Sequence, residues 1–147
     1  MVYDLGGKAM NLDLYNPFIE DNEEIGQPKV YSRIFERVFE VASIRFETKV
    51  VEVYDEKYNA YRYFDFSEVT FMENTGFKDK NGTNIYVGNI VKKEVKDNIY
   101  LEIVEKDKDY NAFALTDKNN SILFIVDDEK IVEVVGNIYE NKDLLED

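Results

Sequence analysis

From Ala42 onward the chain is a succession of short β-branched and aromatic runs, each stopped by a polar or glycine-bearing turn after about 8–12 residues. Ile44 and Phe46, Val50 to Tyr54, Tyr61 to Phe66 and Val69 to Met72 are such runs, with Asp55 to Asn59 as a polar turn and another turn at Asn74, Thr75 and Gly76. Asn81-Gly82 predicts a hairpin turn, because both residue types tolerate positive φ. Ile85 to Val95 reads as extended with Gly88 as a bulge. Then come Ile99 to Val104, Phe113 with Leu115, Ile122 to Val126 and Ile131 to Val135, separated by turns at Asp107 to Asn111, Asp117 to Asn120 and Asp127 to Lys130. Punctuation this frequent predicts a small barrel or sandwich in the second half.

The first third reads differently. Asn16 to Pro28 is acidic and broken by Pro17, Gly26 and Pro28, and reads as an exposed loop. After it, Val30, Ile34, Val38, Val41 and Ala42 recur at helical spacing, which predicts a short amphipathic helix over Lys29 to Phe39, while the Val and Phe content of the same stretch also admits a strand. The fold class is therefore mainly β with a minor helical element. The expected division is a mostly-β region over 1–70, holding the acidic loop 16–28, and a small barrel or sandwich over 71–147. No internal repeat is visible, and no linker rich in Pro, Gly or Ser separates the halves.

The residue types present narrow the chemistry. With 44% hydrophobic residues, only two prolines and seven glycines, the chain is neither disordered nor fibrous. It has no Cys, His or Trp, which removes thiol nucleophiles, Ser–His pairs and thiolate or imidazole metal ligands. Oxygen ligands remain. Asp107, Asp109 and Asn111 imitate the start of a calcium loop, but Ala112 and Lys118 stand where Gly and Glu are needed. Asp117, Asn119 and Ser121 fail alike at Ile122, and Asp127, Asp128 and Glu129 are consecutive. All three clusters read as turns. Gly6-Gly7-Lys8 lacks the rest of a phosphate loop, and no carboxylate pair stands out as acid and base. The expectation is a non-enzymatic protein with no catalytic residue, no metal site and no cofactor.

Net charge is −13, spread evenly: 15 acidic against 8 basic residues up to Asn74, and 16 against 10 beyond it. Direct contact with nucleic acid is disfavoured, since phosphates are held by Lys and Arg. The same holds for an anionic membrane surface, and no apolar run approaches the ~20 residues of a span. Tyr54, Tyr58, Tyr61 and Tyr63 are the densest aromatic group, but a base-stacking platform also needs a basic groove. With no secretory signal or cysteine, the expected place is the cytoplasm. Exposed strand edges point to self-association as a homo-oligomer. The acidity also admits a nucleic-acid mimic that occupies a DNA- or RNA-binding protein.

Two segments carry more. Thr75 to Val91 reads TGFKDKNGTNIYVGNIV and Val134 to Leu145 reads VVGNIYENKDLL. Together they resemble the YopX family of small proteins encoded by phages and prophages of low-GC Gram-positive bacteria. Arg37 to Phe46 is similar to the family's segment before its first strands. The chain departs from the pattern at Val87 and Asn89, where the family has acidic residues, and at Lys142, where Pro is usual. The resemblance implies an SH3-like barrel in the C-terminal half, a bacterial host and a partner that is a host or phage protein. It implies no activity.

Overall fold

The structure is a computed structural model that describes residues 26–107, 109, 112–117, 122–124 and 131–146. The expected acidic loop lies outside them up to residue 25, as do the turns at 118–120 and 127–130. The chain is mainly β. Strands β1 (Lys29–Ser32), β2 (Arg37–Arg45), β3 (Val50–Asp55) and β4 (Ala60–Asp65) follow one another, then a 3-10 turn (Phe66–Glu68) leads into β5 (Val69–Met72). A two-stranded hairpin of β6 (Asn74–Lys78) and β7 (Asn84–Tyr86) comes next. The second series is β8 (Asn89–Val95), β9 (Asn98–Asp107), β10 (Ala112–Thr116), β11 (Ile122–Phe124) and β12 (Val132–Asn137), followed by a 3-10 turn (Lys142–Leu145). Among the described residues no helix is long and apolar enough to cross a membrane.

The two five-stranded sheets have the same connectivity. The first runs β4-β3-β2-β1-β5 and the second β11-β10-β9-β8-β12. In each, four strands meander and the fifth returns to pair with the first. All these pairings are antiparallel. The sequence carries no trace of this doubling, because only strand order repeats. Among the described residues the pairings leave both orders open at their ends.

The helix expected over Lys29 to Phe39 is instead the β1–β2 hairpin. Val30 pairs with Phe39 and both are buried, so two period-2 strands joined by a four-residue turn imitate a helical stripe. Ser32 makes that turn: its hydroxyl oxygen accepts the Ile34 and Phe35 N–H at 3.2 and 3.0 Å, and its carbonyl accepts the Glu36 N–H at 2.8 Å. The expected bulge at Gly88 is a full break. Gly88 has φ 100° in the turn between β7 and β8, which lie in different sheets. Asn74 to Gly76, expected as a turn, begins β6.

Each sheet has its own core. Val30, Phe39, Val51, Val53, Phe64 and Val69 fill the first; Ile85, Val91, Val104, Leu115 and Val132 fill the second. Burying one such side chain contributes about 1.5–3 kcal/mol. The three hairpin turns of the first sheet are four residues long and each ends in a left-handed residue: Glu36 (φ 57°), Lys49 (φ 58°) and Asn59 (φ 51°). A side chain with a Cβ is strained there, so Lys49→Gly is expected to raise stability by about 0.5–1 kcal/mol in urea unfolding. No gain would mean that the turn relaxes without cost.

Candidate functional site

The motif residues build a seam. Thr75 donates its hydroxyl to the Ile85 carbonyl (2.8 Å) and accepts the Phe77 N–H, while Asn74 Oδ1 accepts the Gly76 N–H. Asn81-Gly82 sits in the β6–β7 connection, where only Gly82 has positive φ (84°). The connection is held by Asp79, which the sequence reading passed over. Asp79 Oδ1 accepts the N–H groups of Asn81 and Thr83, and Oδ2 accepts that of Val134 on β12, at 2.8–2.9 Å. Burial pushes its carboxyl up, but those backbone donors outweigh it and hold it below its ordinary value.

At the C-terminal motif, Asn137 Oδ1 accepts the N–H groups of Tyr139 and Glu140, and Asn141 Oδ1 accepts the Asn137 N–H at 3.0 Å. Gly136 is required by close approach: a Cβ there would lie 2.7 Å from Asn141 Oδ1. Gly136→Ala is expected to displace that cap and cost about 1–3 kcal/mol, read as a lower melting temperature. A variant that melts with the wild type would show Asn141 to be dispensable.

The seam joins the two sheets. Tyr139 stacks on Tyr31 of β1 with centroids 4.8 Å apart, and Lys29 lies 4.8 Å over the Tyr86 ring. Burial pushes both hydroxyls, Tyr86 and Tyr139, upward. Glu140 Oε2 accepts the Val38 N–H of β2 at 2.7 Å.

A different cluster has the features of a contact surface. On β3, Val51, Val53 and Asp55 share the inner face, so the alternation carries a carboxylate to the end of the core. The Asp55 side chain is 1% exposed, and two guanidinium groups hold it. Arg37 Nη2 lies 2.7 Å and Arg62 Nε 2.8 Å from Oδ2. Hydrogen bonding from Arg37 first, against burial and aided by Arg62, holds the Asp55 carboxyl far below the usual carboxylate range. The same bond raises Arg37.

Aromatic rings cover the arginines. Arg37 stands 4.6 Å over Phe39, and Arg62 stands 4.6 Å over Phe35 and 5.6 Å from Tyr58. Around them Ile34 is 60%, Tyr58 59% and Phe35 38% exposed. The β1–β2 and β3–β4 turns thus set an apolar rim around two fixed cations. Of the four clustered tyrosines, Tyr58 joins this rim. Tyr54, Tyr61 and Tyr63 lie on the outer face of β3 and β4, where Tyr54 packs on Tyr61 at 5.1 Å and Tyr63 donates to Glu52. That bond raises the Tyr63 hydroxyl.

Among the described residues, no group of three or more His, Cys, Asp or Glu is placed to hold a metal ion. Asp107 Oδ1 accepts the Asp109 N–H at 2.9 Å in a local turn; Asn111, Asn119, Ser121, Asp127, Asp128 and Glu129 lie outside the described residues.

No curated protein matches the chain. Among solved structures, the crystal structure of protein EF1440 from Enterococcus faecalis superposes with a TM-score of 0.54 at 17% identity, covering 82% of this chain and 97% of that one. The likeness is one of fold. The model of the family described as YopX protein matches residues 21–146. That match spans both sheets and the seam between them: the chain belongs to the YopX family.

Proposed function

We propose that this chain is a non-enzymatic phage or prophage accessory protein that works in the host cytoplasm by protein–protein contact. The observation that carries the reading is the rim of Ile34, Phe35 and Tyr58 around Arg37 and Arg62, fixed on a buried carboxylate. Aromatic and arginine side chains held rigid are the anchors protein interfaces favour. Self-association through the open edges β4, β5, β11 and β12 belongs to the same reading, as does an SH3-like barrel over 71–147. A meander whose fifth strand returns to its first supports that barrel.

A photo-crosslinking residue at Ile34, compared with one at the equally exposed Ile99 on β9, tests the contact in host cells. Adducts to a distinct protein at position 34 alone are the expected result. Equal labelling from both positions would count against the patch. Light scattering across concentrations tests self-association, and a monomer throughout would remove it. The charge of −13 supports a second reading, an acidic mimic of nucleic acid. DNA would then displace the captured partner and salt would weaken it.

A further inference from the structure

We propose that the arginine-aromatic rim binds one carboxylate of a partner protein's peptide segment, carried beside an aromatic or branched apolar side chain. The inference rests on the contact reading above and names the chemistry of its partner. Arg37 spends both terminal nitrogens on Asp55, at 2.7 and 3.4 Å. Arg62 bonds Asp55 through Nε alone, so no described residue accepts from its Nη1 or Nη2. Its side chain is 28% exposed. A guanidinium held from behind by a buried carboxylate, with its outer fork open, has the shape that receives a second carboxylate in two parallel hydrogen bonds.

Charge agrees with shape. The attraction is local to the fork: Arg37, Arg62 and Lys57, which lies 5.3 Å over the Tyr58 ring, are set against Asp55, against Glu36 and Glu56 of the same turns and against Glu140, on a chain of −13. Apolar receptors flank the fork: Phe35 beneath it, Ile34 and Tyr58 at its margin. A nucleic-acid strand could also place a phosphate on the fork and a base on Tyr58. It would bring further phosphates against a strongly negative surface, and repulsion grows with each. A single carboxylate meets the attraction without that cost.

The test pans the full-length chain against displayed random peptides, then measures a selected peptide by fluorescence polarisation, with single-stranded oligothymidine in parallel. The expected result is a consensus with Asp or Glu within two positions of an aromatic or branched residue. Changing that acid to its amide, or Tyr58→Ala or Arg62→Lys in the protein, is expected to weaken binding about tenfold or more. Tyr58 is exposed, so its variant keeps the test open if Arg62→Lys fails to fold. No acidic consensus, no selected peptide, indifference to the amide change, or binding of oligothymidine alone would each overturn the proposal. Peptides that bind but ignore both variants would overturn it and leave the broader contact reading standing; failure of crosslinking at position 34 sinks that reading itself.

Discussion

Lys93→Met is expected to cost about 3–5 kcal/mol of unfolding free energy, the largest effect of any single change considered for this chain. Lys93 on β8 and Glu102 on β9 point into the second core, on the face that carries Val91, Val104 and Val132. Their side chains are 7% and 3% exposed, with Nζ 3.2 Å from Oε1. The approach is one of charge, since Oε1 has no hydrogen-bond partner among the described residues. Glu102 therefore leans on its cation, and taking the cation away leaves a carboxylate among valines. Adding Glu102→Leu to Lys93→Met is expected to recover most of the loss, because the core then has one charge fewer to solvate. Urea midpoints at constant slope give both numbers. A single variant as stable as the double would mean that water reaches Glu102.

Asp79→Ala ranks next, at about 3 kcal/mol, because it orphans three backbone N–H groups at once and frees β12 from the β6–β7 connection. Asp79→Asn keeps an acceptor and is expected to cost about 1 kcal/mol. The carboxyl is held below its ordinary value of 3.8, so its contribution is complete above that pH and is lost as pH falls through the folded value. The gap between wild type and Asp79→Asn should accordingly be constant near neutrality and narrow below pH 3.8. Asp55 is lowered as well, so the wild type alone would not separate the two; the variant does. A gap that stays fixed into strong acid would assign the effect to shape.

Strands β3, β4 and β5 were legible within a residue, because Val50 to Tyr54, Tyr61 to Phe66 and Val69 to Met72 carry their pattern locally. The β1–β2 hairpin was not, since Val30, Ile34 and Val38 satisfy a helical period across a turn that Ser32 makes with its hydroxyl. The Asn81-Gly82 connection was legible from its residue types, but Asp79, which holds it, was missed: its partner Val134 is 55 residues away. The contact cluster was hidden for the same reason. Arg37 fell inside the helix expected over Lys29 to Phe39, and Asp55 looked like the start of a turn. An acid at an inner-face position of an alternating strand was the available signal, and it names neither partner.

The Glu140 bond to Val38 spans 102 residues and sets an order on how the chain matures. A ribosome delivers β1 to β5 first, so the first meander can zip its hairpins while the second is still being made. Yet one amide of β2 and the ring of Tyr31 wait for residues 139 and 140, which emerge only after the whole second sheet. The nascent protein thus passes through a stage in which its first sheet is paired but unsealed, and synthesis of the segment beyond β12 supplies the seal.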